Sequence, residues 1–414
     1  MEDGDVTIVI MAGGRGTRIA SMDQTIPKPM LQMAGKPILA YQLECFCRQG
    51  YTDIVLVIGH LGHVIMDYFG DGSRFGVSIR YIVEEEPLGT AGALFFLKNM
   101  VTEDFLLVNG DIIFDVDIGR FYQYHRAHGH LATIFTHPND HPYDSALVVA
   151  DEKGKVSQWI HKEEPRQWYN NCVNAGLHFL SAQLLERFCL AQKSDLDRDV
   201  LHPLIAEGEL YAYQSPEYVK DMGTPERFHA VLRDLTNGLI AQRNLLMPQK
   251  AVFFDRDGTI NQYVGFLRNI DDFELIDGIA ECIKKANENG YLVIVVTNQP
   301  VIARGEITWM DLNKIHQKME TLLGEKGAYI DDIFICPHHP DKGFEGERAE
   351  YKIECECRKP KPGMLLEAAK KYNINLSDSY MVGDSKRDMQ AAEAAGCTGI
   401  LINSDAFHHL FLQM

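Results

Sequence analysis

Short apolar runs that end in glycine or aspartate alternate with amphipathic runs along most of the chain. VTIVIMA, DIVLVIG and FLLVNGDII are rich in β-branched residues and have the length of buried strands. Between the first two, residues 36–51 have the spacing of a helix, with Pro37 in its first turn and Gly50 beyond its end. This alternation predicts an α/β fold with a mostly parallel sheet and helices on both faces.

The same alternation begins again near residue 247. AVFFDRDGT is a fresh apolar run that ends in charged residues, and YLVIVVTNQ and SYMVGDS follow the same form. A chain of 414 residues is also too long for one ordinary core. Because the two halves have no motif in common, we expect two different doubly wound α/β domains, over residues 1–245 and 248–414. Ligands of such sheets bind at the carboxyl ends of the strands.

Composition restricts the partners and the compartment. The chain carries 58 acidic and 40 basic residues, and its net charge of −18 argues against general binding to nucleic acid or anionic membranes. It has no run of about 18 apolar residues, and its first residues lack the features of a secretory signal. Nine cysteines without such a signal do not indicate a disulfide framework. We therefore predict a cytoplasmic protein.

A glycine-rich loop, MAGGRGTR, follows the first predicted strand. Glycine lets the backbone approach a ligand closely and turn its N–H groups toward phosphate oxygens, and nearby Arg and Lys add positive charge. The loop is neither a P-loop nor a dinucleotide fingerprint, because the Lys-Ser/Thr pair and the G-x-G-x-x-G spacing are absent. Taken alone, it also fits a tight turn between a strand and a helix.

Five ordered motifs resemble those of the sugar-1-phosphate nucleotidyltransferases. They are GGRGTR with PKPM, EEEPLGTAGAL, VNGD, VNAG and DMGTPERF, within residues 6–230. The resemblance implies a Rossmann-like domain in which Asp111 and Asp221 hold Mg²⁺ across the phosphates. It implies that Arg18 and Lys28 act catalytically, because they would neutralise the triphosphate and the sugar phosphate. The nucleotide and the sugar would be bound by Gly13, Gly14, Arg15, Gly89, Thr90, Asn109 and Asn174.

The reaction of this family suits these residue types. A sugar phosphate oxygen attacks the α-phosphorus of a nucleoside triphosphate and pyrophosphate leaves, so positioning and charge neutralisation matter more than covalent help. One motif departs from the family, since the usual Glu-Lys-Pro near the sugar phosphate is replaced by HKEEP at 161–165. Either Lys162, beside Glu163, takes the place of the usual lysine with a shifted register, or other residues remake the contact.

In the second half, FFDRDGTIN places Asp255 and Asp257 directly after a predicted buried strand. Alternate residues of an extended segment face the same side, so both carboxylates can face one pocket. An aspartate that attacks phosphorus needs a cation to bring the anions together and an acid to protonate the departing oxygen. The pair therefore fits a phosphoryl-transfer site, although DRDGT alone also fits a capped turn.

Together with TNQ, CRKP and MVGDSKRDM, the D-x-D-G-T run resembles the haloacid dehalogenase superfamily of phosphohydrolases. The resemblance implies a second Rossmann-like domain in which Asp255 is the nucleophile and Asp257 the general acid and base. Asp384 would complete a Mg²⁺ site with these two aspartates, and Asp388, one helical turn further on, is a candidate to support it. The substrate would be contacted by Thr297, Asn298, Arg304, Arg358 and Lys359.

Four potential metal ligands lie within residues 336–357, namely Cys336, His338, Cys355 and Cys357. One nitrogen and three sulfurs suit a closed tetrahedral Zn²⁺ site, which is usually structural. The C-x-H…C-x-C spacing is not the common finger pattern, and a reduced cysteine cluster is the alternative. The flanking residues resemble the zinc loop of the heptose-bisphosphate and histidinol-phosphate phosphatases. That resemblance implies zinc and a loop that aims Arg358 and Lys359 at the substrate.

TNQPVIARG and CRKPKPGM resemble the heptose-bisphosphate phosphatases more closely than the histidinol-phosphate enzymes. Two positions depart from that family. This chain has Pro300-Val301 where the family has Ser-Gly, and Ser385 where the family has a lysine after the motif aspartate. Both departures fall near the expected substrate pocket, so they put substrate preference in doubt.

The two resemblances imply consecutive reactions. A heptose 1,7-bisphosphate phosphatase yields heptose 1-phosphate, and a sugar-1-phosphate nucleotidyltransferase consumes it. The first half, including the run DLDRDVLHPLIAEGELYAY, also resembles guanylyltransferases that act on heptose 1-phosphate or mannose 1-phosphate. That resemblance implies GTP and sugar phosphates as substrates and GDP-heptose as the product, with the α-anomer of the 1-phosphate as the intermediate. The alternatives are a transferase for another sugar, such as mannose 1-phosphate, fused to a phosphatase of other specificity, such as histidinol phosphate, or a non-catalytic sugar-nucleotide sensor. The nucleotide base and the oligomeric state stay open, and a homo-oligomer is compatible with the sequence.

Overall fold

The computed structural model describes residues 6–14, 25–128, 130–343, 345–402 and 404–413, and these form two compact units. The first unit contains the described residues up to His137, Val148–Ile160 and Asn174–Asn244. The second unit contains Pro138–Leu147, His161–Val173 and the described residues from Leu245 onward. None of the helices in the described part of the chain combines the length and apolar character needed to cross a bilayer.

The first unit is an α/β structure with thirteen strands and six α-helices among its described residues. The elements are β1 (Ile8–Met11), β2 (Gln32–Met33), β3 (Lys36–Pro37), α1 (Ile38–Arg48), β4 (Asp53–Ile58), α2 (Gly62–Phe69), β5 (Ser78–Val83), β6 (Phe105–Asn109), β7 (Ile112–Asp115), α3 (Ile118–His128), β8 (Ala132–His137), β9 (Leu147–Ala150), β10 (Val156–Ile160), β11 (Val173–Leu180), α4 (His202–Glu207), β12 (Leu210–Gln214), β13 (Tyr218–Asp221), α5 (Pro225–Thr236) and α6 (Leu239–Gln242).

The main sheet of this unit has the strand order β10-β9-β11-β6-β1-β4-β5, and β8 joins it by pairing with β11 and β12. Strands β6, β1, β4 and β5 are parallel, whereas β11 runs antiparallel to β6. Two strands outside this sheet, β7 and β13, form an antiparallel pair. The predicted mostly parallel α/β fold is therefore confirmed, and its parallel strands bring the loops after β1 and β6 to the same edge.

Helix α1 follows the sequence prediction except at its first residue. Pro37, expected in the first turn, is extended (φ −67°, ψ 153°) and stands just before the helix, so its fixed φ directs the chain into Ile38. Gly50 lies beyond the last turn with φ 86°, a value that favours glycine. The buried face of the helix packs on the sheet, where the rings of Phe46 and Phe114 are 5.4 Å apart.

The second unit has a five-stranded sheet of order β16-β15-β14-β17-β18, in which every described pair is parallel. Its elements are β14 (Ala251–Phe254), α7 (Ile279–Glu288), β15 (Leu292–Asn298), α8 (Pro300–Ala303), α9 (Trp309–Gly324), β16 (Asp332–Cys336), α10 (Gly363–Tyr372), β17 (Tyr380–Gly383), α11 (Lys386–Ala395), β18 (Thr398–Leu401) and α12 (Asp405–Gln413). Val252 and Phe254 belong to one core and Ala251 and Phe253 to another, so both faces of β14 are covered, as expected for a doubly wound sheet.

Two segments that come before residue 245 in the chain belong to the second unit, and one of them packs on α9. The Tyr169 N–H donates to Thr321 Oγ1 at 3.0 Å, and the Asn171 N–H donates to Glu320 Oε2 at 2.6 Å. Asn170 Nδ2 donates to the other oxygen of Glu320 at 3.0 Å. Burial raises the pKa of Glu320 to about 7. The main division of the units falls between residues 244 and 245, but the expected domain limits, 1–245 and 248–414, do not follow these two segments.

Candidate active sites

The carboxyl ends of β1 and β6 meet in the first unit. Met11 is in register with Asn109, and the Gly110 N–H donates to the Met11 carbonyl at 3.0 Å. A Cβ on Gly110 would lie 2.7 Å from that carbonyl oxygen, so only glycine allows this approach. Gly13, directly after β1, and Asp111, directly after Gly110, therefore lie on neighbouring loops at one edge of the sheet.

The β7–β13 pair brings Asp221 close to Asp111. Asp221 is in register with Ile112, and the Met222 N–H donates to the Asp111 carbonyl at 3.2 Å. The two predicted metal ligands are more than 100 residues apart in sequence, yet the ladder makes their backbones neighbours. Two carboxylates at one sheet edge form a set of oxygen donors that Mg²⁺ accepts when phosphates and water complete its shell.

Each of these carboxylates is paired with one cation. Lys28 Nζ lies 2.5 Å from Asp111 Oδ2, and Arg227 Nη1 lies 2.8 Å from Asp221 Oδ2. The Asp111 and Asp221 side chains are 40% and 41% exposed, so both carboxylates are open to solvent and to a ligand, whereas the Lys28 side chain is largely buried. Lys28 was predicted. Arg227 was missed, although it lies within the DMGTPERF motif and in the first turn of α5, which was the available signal.

The other predicted binding residues of the first unit lie on three loops or strands. The Thr90 hydroxyl accepts a hydrogen bond from the Leu196 N–H at 2.7 Å. Asn174 Oδ1 accepts one from the Gly176 N–H at 3.2 Å. A Cβ on Gly176 would lie 2.6 Å from Asn109 Nδ2, so the Asn109 amide packs directly on β11. Arg15 and Arg18 lie outside the described residues.

Lys162 and Glu163 lie in a segment that groups with the second unit. Lys162 Nζ is 3.6 Å from Asp144 Oδ1, and both side chains are about half exposed. The turn is closed by Glu164, whose Oε1 accepts from the His161 N–H at 2.9 Å. This geometry gives Lys162 an acidic neighbour and a solvated position, and its role toward a sugar phosphate stays a prediction.

Three carboxylates and one lysine form the centre of the second unit. Lys359 Nζ lies 2.9 Å from Asp255 Oδ1 and 2.6 Å from Asp388 Oδ1. Asp255, Asp384 and Asp388 each offer an oxygen, and these oxygens lie within 4.8 Å of one another, so the group could hold a metal ion. Burial raises the pKa of Asp255 to about 6, although the Lys359 ammonium acts in the opposite direction.

Asp257 is held apart from that group by a buried arginine. The side chain of Arg256 has no exposed surface, and its Nη2 lies 2.9 Å from both carboxylate oxygens of Asp257. Gln299 Nε2 donates to Asp257 Oδ2 at 2.8 Å and to Thr297 Oγ1 at the same distance. Burial, and then the Arg256 charge, hold the pKa of His316 well below its usual value, so its neutral ring accepts from Arg256.

The Asp257 carboxylate is thus not part of the group of three carboxylates whose oxygens lie close together. The expected bond between the Asp257 side chain and Mg²⁺ is not supported by this geometry. Gln299 links Asp257 to Thr297, and the role of Asp257 in proton transfer stays a prediction. Sequence reasoning missed Gln299. The only available signal was its position two residues after Thr297, on the same side of an extended segment.

The backbone of the CRKP loop is fixed to the end of β15. Asn298 Nδ2 donates to the Lys359 carbonyl at 3.0 Å, and the Lys359 N–H donates to Asn298 Oδ1 at 3.0 Å. Arg358 Nη1 donates to the His338 carbonyl at 3.1 Å. Arg304 lies 4.1 Å above the ring of Phe266. Asn298 is therefore a support for Lys359 in this structure.

The Cys and His side chains of residues 336–357 converge as the spacing predicted. The Sγ atoms of Cys336 and Cys355 are 3.6 Å apart, and those of Cys355 and Cys357 are 3.2 Å apart. His338 Nδ1 lies 3.4 Å from Cys357 Sγ and 3.8 Å from Cys336 Sγ. A tetrahedral ion with bonds of about 2.3 Å would separate its sulfur ligands by about 3.8 Å. These distances fit a closed metal site and exclude a disulfide.

The two departures from the phosphatase pattern have local structural roles. The Ser385 hydroxyl donates to Asp388 Oδ2 at 2.6 Å in a capping box that begins α11. Asp388 therefore caps the helix with one oxygen and contacts Lys359 with the other, a role that S-x-x-D spacing signals. Pro300 occupies the first turn of α8, where its missing N–H costs nothing, and Val301 is buried beside it.

Comparison with known proteins gives two families. The model described as nucleotidyl transferase matches residues 7–238, and the one described as HAD-hydrolase-like matches residues 356–411. The D-glycero-beta-D-manno-heptose-1,7-bisphosphate 7-phosphatase of Yersinia pestis is 44% identical over 155 residues, which are 37% of this chain and 80% of the phosphatase.

Two solved structures resemble separate parts of the chain. HddC from Yersinia pseudotuberculosis is 26% identical, with 56% of this chain and 99% of HddC covered and a TM-score of 0.49. D,D-heptose 1,7-bisphosphate phosphatase from B. bronchiseptica, complexed with magnesium and phosphate, is 36% identical. It covers 40% of this chain and 87% of its own, with a TM-score of 0.34.

Proposed function

Because the chain belongs to the nucleotidyl transferase family through residues 7–238 and to the heptose-bisphosphate phosphatase family through its second half, we propose that it makes a nucleotide-activated heptose in two steps. The second unit removes the 7-phosphate of D-glycero-D-manno-heptose 1,7-bisphosphate. The first unit transfers GMP from GTP to the resulting heptose 1-phosphate and releases pyrophosphate. Because both families act on small phosphorylated metabolites, we place the enzyme in the cytoplasm.

In the phosphatase step, Asp255 attacks the phosphorus of the 7-phosphate and forms an aspartyl phosphate, while the sugar oxygen leaves with a proton from Asp257. Asp257 then accepts a proton from the water that hydrolyses this intermediate. Lys359, 2.9 Å from Asp255, neutralises the phosphoryl group, and Thr297 is assigned to bind a phosphoryl oxygen. Arg358, on the loop that Asn298 anchors, is assigned to bind the substrate. Arg304, beside Phe266, is also assigned to bind the substrate.

In the transfer step, an oxygen of the sugar phosphate attacks the α-phosphorus of GTP, and the bond to pyrophosphate breaks. Lys28 and Arg18 neutralise the phosphates, and the backbone at Gly13 and Gly14 approaches them closely. Arg15 adds charge to the same loop. The sugar is assigned to Asn174 and Asn109, whose side chains lie on adjacent strands, and the base to the loop with Gly89 and Thr90.

The residues present fit two kinds of metal. Mg²⁺ is assigned to Asp111 and Asp221 in the first unit and to Asp255, Asp384 and Asp388 in the second, where it would neutralise phosphate charge. Zn²⁺ is assigned to Cys336, His338, Cys355 and Cys357, where it would stabilise a loop with little core of its own.

The observation that carries the proposal is the second unit's centre, in which Lys359 lies between Asp255 and Asp388, in a chain whose residues 7–238 match a nucleotidyl transferase. A phosphatase that frees a sugar 1-phosphate supplies the substrate of such a transferase. The 44% identity to a heptose-bisphosphate phosphatase favours heptose over histidinol phosphate or mannose 1-phosphate. A non-catalytic sensor is disfavoured, because the predicted nucleophile and acids are all present.

Phosphorus NMR of the whole protein with Mg²⁺, GTP and α-D-glycero-D-manno-heptose 1,7-bisphosphate tests both steps. We expect inorganic phosphate first, then pyrophosphate and a sugar diphosphate, and without GTP the reaction should stop at heptose 1-phosphate. Phosphate without pyrophosphate from any of the four common nucleoside triphosphates would contradict the transferase half. No phosphate from this substrate or from its β-anomer, the one in the name of the Yersinia pestis relative, would contradict the phosphatase half, and histidinol phosphate would then be tested.

A further inference from the structure

The loop that carries the LGTAG motif is clamped by a distant piece of the chain. Residues 88–92 lie alongside residues 192–196, more than 100 positions later. The Ser194 N–H donates to the Leu88 carbonyl at 2.9 Å, and the Ala91 N–H donates to the Ser194 carbonyl at 3.0 Å. Gly89 and Ser194 thereby form a parallel bridge. We call residues 192–196 the clamp segment.

Two glycines allow the clamp segment to approach this closely. A Cβ on Gly92 would lie 2.3 Å from the Gln192 carbonyl oxygen, and one on Gly89 would lie 2.4 Å from the Ser194 carbonyl oxygen. Both neighbours are backbone atoms, which cannot move aside as the end of a flexible side chain can. Gly89 also has φ 80°, whereas the φ of Gly92 is one that other residues adopt, so at Gly92 the close approach alone requires glycine.

The side chain of Thr90 completes the clamp. Its hydroxyl accepts the Leu196 N–H at 2.7 Å, directly after the bridge at Ser194. Leu196 is buried and begins a helical segment, so its N–H is one of the donors that a helix start leaves without an internal partner. The hydroxyl thus satisfies a backbone group of the clamp segment, at the point where the loop passes from exposed Gly89 and Thr90 to buried Ala91.

The clamped loop is also linked, through Glu84, to the glycine-rich loop after β1. The Leu88 N–H donates to Glu84 Oε1 at 3.3 Å, and the other oxygen of Glu84 packs against Gly13, where a Cβ would lie 2.5 Å from it. The Glu84 N–H in turn donates to the Ile58 carbonyl at the end of β4. A displacement of residues 88–92 would therefore move Glu84 and change its contact with Gly13.

We propose that the clamp segment fixes the 88–92 loop for the incoming nucleoside triphosphate, and that Thr90 is a positioning residue that acts through Leu196. This inference rests on the proposed transferase function. It assigns the Thr90 hydroxyl to the clamp and leaves the contacts with the nucleotide to the backbone of the loop. Losing the clamp should weaken nucleotide binding in the ground state and the transition state equally, which raises KM for the triphosphate and leaves kcat near its original value.

The test uses the full chain with Thr90→Val, Thr90→Ser, Gly92→Ala and, as a matched control, Gly119→Ala in α3, where the nearest atom to an added Cβ is 3.5 Å away. We expect KM for GTP to rise about fivefold in Thr90→Val and by more in Gly92→Ala, with kcat within about twofold. Thr90→Ser keeps the acceptor and should stay close to wild type, as should Gly119→Ala. The melting curve of each sample, compared with that of wild type, reports whether the variant has folded.

Three results would overturn the proposal. One is an unchanged KM for GTP in Thr90→Val and Gly92→Ala. Another is a loss of kcat with an unchanged KM in Thr90→Val, because that pattern marks a group that contacts the reacting atoms. The third is an equal loss in Thr90→Ser and Thr90→Val. A wild-type protein that releases pyrophosphate from no triphosphate would instead remove the proposed transferase function, and this inference with it.

Discussion

The two carboxylate sites of this chain differ in how far water reaches them. In the first unit, Asp111 and Asp221 are 40% and 41% exposed, and each is paired with its own cation. In the second, Asp255 and Asp388 are 14% and 1% exposed and have Lys359 in common. One site contains two ion pairs whose carboxylates are partly exposed. In the other, a buried lysine lies between two largely buried carboxylates, and of the three carboxylates only Asp384 is exposed.

This difference follows from what each reaction requires of the protein. A transferase joins two phosphorylated substrates and supplies no covalent partner, so its acids can stay open until phosphates and metal arrive. A phosphatase that forms a covalent intermediate must hold its nucleophile in one geometry before substrate binds. Burial makes that geometry rigid, and the raised pKa of Asp255 is the electrostatic cost, which Lys359 partly offsets.

The largest effect is expected from Asp255→Asn. The amide cannot form the aspartyl phosphate, so phosphate release should fall at least about a thousandfold, because the described cluster offers no second nucleophile in the same place. Pyrophosphate release from GTP and heptose 1-phosphate should stay within about twofold of wild type. Measuring both products from one preparation checks this. Residual phosphatase activity above a tenth of wild type would contradict the assignment of the nucleophile.

The complementary change, Asp221→Asn, should reduce the release of pyrophosphate and leave the release of phosphate unchanged. It removes the charge of one of the two carboxylates proposed to hold Mg²⁺, the one that Arg227 contacts, so pyrophosphate release should fall about a hundredfold or more. Raising Mg²⁺ should recover part of the loss, because an exposed site depends on the free ion concentration. Phosphate release from the bisphosphate is the control. If that also fell by a similar factor, the two sites would not be separate as described.

The cysteine cluster tests whether the second site depends on a metal-stabilised loop. In Cys357→Ser we expect the loss of about one zinc per chain and a melting temperature lower by several degrees, because the metal stabilises only the folded loop. Phosphatase activity should fall with it, since Lys359 follows two residues later. Cys397→Ser, at a half-buried thiol outside the cluster, is the matched control. Full metal content in Cys357→Ser would remove this residue from the ligand set.

The smallest expected effect concerns the pH dependence of stability at Glu320. Burial raises its pKa from the ordinary 4.5 to about 7, so the folded protein binds a proton that the unfolded chain has released between these values. The contribution of Glu320 to stability therefore falls as pH rises from 4.5 to 7. In Glu320→Gln, the fall in melting temperature from pH 5 to pH 8 should be smaller by a few degrees. Glu325→Gln, at an exposed position, should keep the wild-type slope.

Local patterns in the sequence predict most of the second unit and its cluster. The strands that end at Phe254, Asn298 and Gly383 are apolar runs bounded by charged or small residues, and parallel pairing places the ends of β14 and β17 together. The order of the motifs then identified Asp255, Lys359 and Asp384. The spacing of the cysteines predicted the ligand set, since C-x-H and C-x-C each place two donors on one short segment.

Contacts between distant segments were beyond such patterns. The Arg227 pair with Asp221 and the clamp on Thr90 each depend on tertiary packing, and no local spacing encodes the distance from Thr90 to Leu196. The same applies to the packing of residues 161–173 on α9, because Tyr169 and Thr321 are 152 positions apart and neither lies in a motif. Sequence order placed residues 161–173 in the transferase half, whereas packing groups them with the phosphatase half.

That packing has a consequence for anyone who wishes to divide the chain. A cut at residue 245 would leave Tyr169 and Asn171 on one fragment and their acceptors, Thr321 and Glu320, on the other. Each fragment would expose a surface that is buried in the intact chain. Each polar group on it that stays buried without its hydrogen-bond partner would cost about 1–3 kcal/mol of stability. We therefore expect the two halves, when co-expressed, to associate and to purify together, as complementing fragments of one protein do.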